Sequence, residues 1–342
     1  MNQWITKAVA LAAAVMSFLF VLGALPGRGA ATEVEPTAAA EDKSLVIVES
    51  KPESPEAEMP VTEHVFLVNT ESEEYQACAA LAEGMGASQI VVYDGGSDEV
   101  LYTKTVEGGK LYPASITKLF SAYVALQHLD ADDVVTAGDE LELVRPGSSM
   151  AYIYKGQSVT LEMAVQAMML PSGNDAAYIV AANVGRAIAG DESLSAAEAV
   201  QAFVDEMNET ADELGFKKSH FCNPDGYHVG AHYTCLNDMT RIAKLALEDP
   251  VISKYMNCFE ADVTYYSGET NHWKNTNYLL DPESEYYNPD AVGMKTGHTS
   301  QAGWCLMSAF QEGDRTIVVG VFGYEDKLAR FEDVAALVEA VA

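Results

Sequence analysis

Strand-like segments lie towards the two ends of the folded region and helical ones between them. This arrangement restricts the fold more than any other feature of the chain. Ile90-Val91-Val92-Tyr93, then Asp94-Gly95-Gly96, then Val100-Leu101-Tyr102 read as strand, turn, strand. Trp304 to Phe310 and Thr316 to Phe322 read as a second pair, joined by Glu312-Gly313-Asp314, and Lys327 to Val341 as a closing helix. In the middle, Ile116, Leu119, Phe120, Tyr123 and Val124 recur at helical spacing, as do Leu161, Val165, Met168 and Met169. A lone hairpin is marginal in water. The two pairs are therefore expected to share one sheet, with the middle of the chain forming a helical subdomain.

What precedes residue 87 has a different composition. Lys7 is followed by an apolar run from Ala8 to Leu25, then by small residues, with Gly29 and Ala31 placed as in a cleavage site. Residues 1–31 thus read as a signal peptide or an N-terminal membrane anchor, the run being long for the first and short for the second. Residues 32–86 read as an acidic, Pro/Glu/Ala-rich linker, largely disordered, because segments such as Lys51-Pro52-Glu53-Ser54-Pro55-Glu56 cannot bury enough apolar surface to offset chain entropy. Within it, Tyr75 to Met85 has the makings of a short helix. Residues 87–342 form the candidate catalytic domain. The net charge of −31 argues against nucleic acid and anionic lipid as partners. A carboxylate-bearing substrate would need a local positive site against that field.

Three short motifs carry chemistry. In Tyr112-Pro113-Ala114-Ser115-Ile116-Thr117-Lys118, Pro113 suits a helix start, and residues three apart on a helix are neighbours. Lys118 can then serve Ser115 as the adjacent base that a serine nucleophile needs, and the Ser115 N–H, in the first helical turn, can serve an oxyanion hole. Ser172-Gly173-Asn174 follows Met168-Met169-Leu170-Pro171, so it reads as a tight loop between helices, with Asp175 capping the next helix. Lys295-Thr296-Gly297, ahead of the strand at Trp304, offers a cation, a hydroxyl and a position without Cβ against which a substrate can lie. Each alone is an ordinary surface pair, loop or strand end. In this order they match the set found in class A β-lactamases and penicillin-binding proteins.

From about Gln89 onward the chain resembles the low-molecular-mass D-Ala-D-Ala carboxypeptidases, the penicillin-binding serine peptidases. The resemblance extends to Ser172-Gly173-Asn174-Asp175-Ala176-Ala177, Leu214-Gly215-Phe216, Asn223-Pro224, His232-Tyr233-Thr234, Asn275-Thr276-Asn277, Lys295-Thr296-Gly297-His298-Thr299 and Arg330-Phe331-Glu332-Asp333. It implies an α+β fold, an antiparallel sheet flanked by helices plus a mostly helical subdomain, with the site in the cleft between them. It implies Ser115, Lys118 and Ser172 as catalytic residues and Asn174, Lys295, Thr296 and Gly297 as substrate-binding ones. The backbone N–H groups of Ser115 and His298 would form the oxyanion hole. The implied substrate is a peptidoglycan stem peptide ending in D-Ala-D-Ala, with β-lactams as inhibitors and no cofactor. Many relatives continue into a β-rich domain and an anchoring helix. Here the sequence reads to Ala342 just after the closing helix, so membrane attachment is expected only from the N-terminus. Asp225, before the glycine that follows Asn223-Pro224, departs from the pattern and has no assigned consequence.

Two rival readings come from the same residues. A β-lactamase needs a carboxylate to activate the deacylating water, and Glu206 and Glu209 are the local candidates, on the amphipathic helix Phe203 to Leu214. His220, Cys222, Asp225, His228, His232 and Cys235 crowd together as ligand types. Packing and loop hydrogen bonds are the preferred account of them, and no metal is assigned. A penicillin-binding wall protein without turnover is the third reading. The five cysteines leave at least one unpaired within the chain, and most read as small buried hydrophobes.

Overall fold

The computed structural model describes residues 67–342. The apolar run Ala8 to Leu25 and most of the acidic stretch lie outside the described residues. In chain order the elements are α1 (Glu73–Ala82), β1 (Gln89–Asp94), β2 (Glu99–Lys104), β3 (Lys110–Leu111), a 3-10 turn (Ala114–Ile116), α2 (Thr117–His128), β4 (Val134–Thr136), β5 (Ser158–Thr160), α3 (Leu161–Met169), α4 (Asn174–Ala189) and α5 (Ala196–Glu213). Then come β6 (Thr234–Cys235), α6 (Leu236–Glu248), α7 (Pro250–Met256), β7 (Glu260–Thr264), β8 (Thr270–Lys274), β9 (Ala291–Thr299), β10 (Gly303–Glu312), β11 (Arg315–Tyr324) and α8 (Ala329–Glu339).

One five-stranded sheet runs β2-β1-β11-β10-β9, every neighbour antiparallel. The two terminal segments meet as expected: Val92 of β1 faces Val319 of β11. Side chains of a strand alternate between faces. Val91 and Tyr93 accordingly join one core with the helical subdomain, while Ile90 and Val92 join a second core with Phe331, Leu337 and Val338 of α8. Both faces of β1 are covered, which is why all six of its residues are buried. The Lys-Thr-Gly motif lies within β9, the edge strand beside the helical subdomain.

The folded part begins earlier than residue 87. α1 starts at the Ser72 cap, whose Oγ accepts Tyr75 N–H, and it buries Cys78 and Ala82 in the outer core. The linker boundary is corrected accordingly: residues 73–86 are ordered because small side chains on one helix face dock on the sheet. The β7–β8 hairpin was not anticipated. Among the described residues no helix is long and apolar enough to cross a membrane.

Candidate active site

The nucleophile turn is assembled first. Pro113 caps the 3-10 turn that leads into α2, and Ala114 adopts a positive φ of 49°. Ser115 and Lys118 then sit one helical step apart, with Lys118 Nζ donating to Ser115 Oγ at 2.8 Å. Two glycines from distant segments clasp this turn. A Cβ on Gly226, itself at φ +81°, would lie 1.8 Å from the Ala114 carbonyl oxygen, and one on Gly297 would lie 2.8 Å from the Pro113 oxygen. Gly297 therefore makes room for the nucleophile turn, and it also lines the cleft. On the other side, Cys222 N–H donates to His232 Nδ1 at 3.1 Å, so Nε2 carries the hydrogen and donates to Thr117 Oγ1 at 3.0 Å. Burial holds His232 far below its usual range, at about 3, and keeps it neutral.

The second motif is the expected loop between helices. α3 stops before Pro171, Ser172 takes a positive φ of 58°, and Gly173 starts α4. Asn174 sits at the first position of α4. Its Oδ1 accepts from Lys118 Nζ at 2.8 Å, and its Nδ2 donates to Asp225 Oδ2. Asp175 accepts from Ala176 N–H of its own turn at 3.0 Å. It also ties down the cleft-side loop, accepting from the N–H groups of Ala151 at 2.8 Å and Ile153 at 3.1 Å.

The third motif separates into two positions. Lys295 Nζ is buried behind Ser172, donating to Ser172 Oγ at 2.8 Å and to the Thr296 carbonyl at 3.1 Å. It is not among the residues lining the cleft, whereas Thr296, Gly297 and His298 are. Thr296 Oγ1 is 2.5 Å from Thr276 Oγ1, and Asn277 Nδ2 donates to the Gly293 carbonyl at 3.1 Å. The Asn-Thr-Asn stretch thus braces β9. The cleft, of about 1560 Å³, also reaches Arg330, which in the sequence stands only in a family-like stretch. This guanidinium is 1% exposed, donates to the Cys305 carbonyl at 2.8 Å, rests against the Trp304 ring, and has no partner for Nε among the described residues. Its position in space, which the sequence could not show, is its signal.

Three buried basic side chains, Lys118, Lys295 and Arg330, surround one cleft in this acidic protein. Burial lowers Lys118 to about 8, while the nearby charges of Asp225 and Asp175 pull it back up. Lys295 is pushed well below the usual lysine value by burial, then by the charges of Lys118 and Arg330. Burial is therefore what makes Lys118 available as a base. Burial raises Asp225, against the charge of Lys118.

The remaining candidates are spread out. Glu206 lies on α5, paired on the surface with His128 at 2.8 Å, and neither it nor Glu209 lines the cleft. His220 Nδ1 bonds to the Ala231 carbonyl at 2.9 Å, and among the described residues no three His, Cys, Asp or Glu side chains converge as metal ligands. All five cysteines are free thiols: Cys78, Cys235 and Cys305 are buried, Cys222 and Cys258 partly so.

A serine served by a buried amine rather than by a histidine is the chemistry of the penicillin-recognising acyl-transfer enzymes. Within that class, the chain belongs to the D-alanyl-D-alanine carboxypeptidase family, whose profile matches residues 76–325. It is 31% identical over 247 residues to a D-alanyl-D-alanine carboxypeptidase of a Streptomyces species, covering 70% of this chain and 81% of the relative. It is 30% identical over 244 residues to the D-alanyl-D-alanine carboxypeptidase DacF of Bacillus subtilis, covering 69% of this chain but only 57% of that one. The aligned part thus spans little more than half of that longer relative. Among solved structures, a Streptomyces DD-transpeptidase superposes with a TM-score of 0.67 at 28% identity, over 75% of this chain and 97% of that one. A D-alanyl-D-alanine carboxypeptidase of Mycobacterium tuberculosis gives 0.62 at 24% identity, over 75% and 91%, a likeness of fold.

Proposed function

We propose that the chain is a serine D-Ala-D-Ala carboxypeptidase that removes the terminal D-alanine of peptidoglycan stem peptides through an acyl-enzyme on Ser115. The observation that carries this reading is the buried Lys118 amine 2.8 Å from Ser115 Oγ. Neutral Lys118 takes the Ser115 proton as Oγ attacks the penultimate carbonyl. The N–H groups of Ser115 and His298 receive the oxyanion, the latter from the free edge of β9. Collapse breaks the C–N bond, and the proton returns through Ser172 to the departing D-alanine. Water then cleaves the ester. Asn174 holds the peptide. The terminal carboxylate lies against Thr296 and Arg330, with the Lys295 amine behind Ser172. A penicillin is attacked in the same way, but its leaving nitrogen stays tethered by the opened ring, so the adduct persists. Export directed by residues 8–25, with cleavage or anchoring there, belongs to this reading.

The test is to incubate the purified protein with a D-Ala-D-Ala tripeptide and, separately, with a penicillin, following free D-alanine, intact penicillin and protein mass. D-alanine release together with a slowly lost penicillin adduct on Ser115 is the expected result. Fast penicillin loss without D-alanine release would replace this reading by a β-lactamase, and an adduct without D-alanine release by a binding protein.

A pH dependence follows. The base acts when neutral, so acylation should rise with pH through the value of about 8 set by burial of Lys118. At pH 6 the rate constant should lie about 100-fold below its plateau, since each pH unit below the pKa removes a factor of ten of neutral amine. A limb centred near 10 in stopped-flow acylation would reject burial as the activating factor.

A further inference from the structure

A neutral primary amine has two hydrogens and one lone pair. A lysine acting as a base must therefore place both hydrogens elsewhere and keep the lone pair for the proton it accepts. Around Lys118 the acceptors for those hydrogens are Asn174 Oδ1 at 2.8 Å and the Asp225 carbonyl at 3.0 Å, and the remaining contact is Ser115 Oγ. This works only with the Asn174 amide turned oxygen-first. Turned round, it would offer Nδ2–H to the lone pair and compete with Ser115. What turns it is the Asp225 carboxylate, whose Oδ2 accepts from Asn174 Nδ2 and whose Oδ1 accepts from Tyr227 N–H at 3.0 Å. In its ionised form, which the hydrogen bond from Tyr227 N–H favours against burial, the carboxylate only accepts, so the amide nitrogen faces it. Asp225 is 1% exposed, and its turn is closed by Gly226 N–H donating to Asn223 Oδ1 at 2.8 Å.

We propose that Asp225 is a positioning residue for acylation: its carboxylate sets the Asn174 amide and thereby aims the Lys118 lone pair at Ser115. The proposal rests on the acyl-serine reading above. Asp225 touches the base twice, directly through its carbonyl and indirectly through Asn174. Its charge has a second effect. A carboxylate beside an amine favours the cation, which raises the pH at which Lys118 becomes a base.

Asp225→Asn tests this without changing volume. If Tyr227 N–H keeps the single carboxamide oxygen, the new NH2 group faces Asn174 and draws the Asn174 oxygen away from Lys118. Penicillin acylation, followed by mass, should slow on the order of 10- to 100-fold, a part of what a positioned base contributes. Its acid limb should move to lower pH. In an Asn174→Ala background the same substitution should cost at most about 2-fold more, because residues acting as a unit are not additive. Wild-type rates in Asp225→Asn, losses that simply multiply, or an unmoved acid limb would overturn the proposal. The limb midpoint does not depend on how much of the preparation is folded, so a poorly folding variant still answers. If the wild type forms no adduct on Ser115, the acyl-serine reading falls and this proposal with it. An adduct in the wild type with an unimpaired Asp225→Asn removes the positioning role alone.

Discussion

Ser115→Ala is expected to abolish covalent attachment of peptide and penicillin, and Lys118→Ala to slow it by about 10³-fold or more, with the fold retained in both. The reasons differ. Alanine at 115 has no atom to form the ester. Alanine at 118 leaves the hydroxyl in place but without a nearby base, and water in the vacated space replaces it poorly. Folding should survive because the buried amine is itself a burden. Its pKa falls to about 8 because its cation is less stable there than in water. Intact-mass kinetics with a penicillin, paired with thermal melts, measure both quantities. Acylation of Lys118→Ala at the wild-type rate would remove Lys118 as the base and shift attention to Lys295, held 2.8 Å from Ser172 Oγ.

Gly226→Ala should be among the most destabilising single substitutions in the chain, at about 4 kcal/mol or more. The added Cβ meets the Ala114 carbonyl at 1.8 Å and Thr117 Oγ1 at 2.8 Å, and the residue also occupies a left-handed backbone region at φ +81°. The first clash is with main chain, so no side-chain rotation relieves it. Either the 223–227 loop lifts away, taking Asp225 from Asn174, or the nucleophile turn shifts and moves Ser115. Urea denaturation reads the stability loss, and acylation of the folded fraction reads the displacement. A variant with wild-type midpoint and wild-type acylation would show that the two segments are not in contact as described.

What could be read from the sequence, and what could not, follows from the range of the interactions. The Ser115–Lys118 pair was legible because a single helical turn brings the two residues together, whatever the rest of the chain does. The sheet was legible because β1 and β11 are rich in β-branched and aromatic residues and β10 is a largely apolar run from Trp304 to Phe310, each bounded by turn signals. The β7–β8 hairpin was not, because each strand buries only one side chain fully, Val263 and Trp273, among exposed polar neighbours. Asp225 and Arg330 looked like parts of a loop and a helix. Their importance comes from what the fold sets beside them: Asn174, 51 positions away, and the Cys305 carbonyl, 25 away. Lys295 shows the converse. Its motif was recognised, yet only packing shows that its amine sits behind Ser172 rather than in the cleft.

The place of β11 between β1 and β10 also bears on when the protein acquires its activity. β1 is made early, but the strand it pairs with, residue for residue from Gln89–Phe322 to Asp94–Ile317, is among the last parts of the chain to be synthesised. Contacts of such sequence separation form late and slowly, because a long loop must close before any of them is gained. Until then β1 and β2 form an isolated hairpin with an exposed hydrophobic edge, a state prone to wrong pairing. A polypeptide cut short before Ile317 has no way to join its two ends into one sheet. β9 would then lose its support through β10, and with it the braced position of Thr296 and His298 across from Ser115. Catalytic competence should therefore appear abruptly at the end of folding rather than accumulate with chain length.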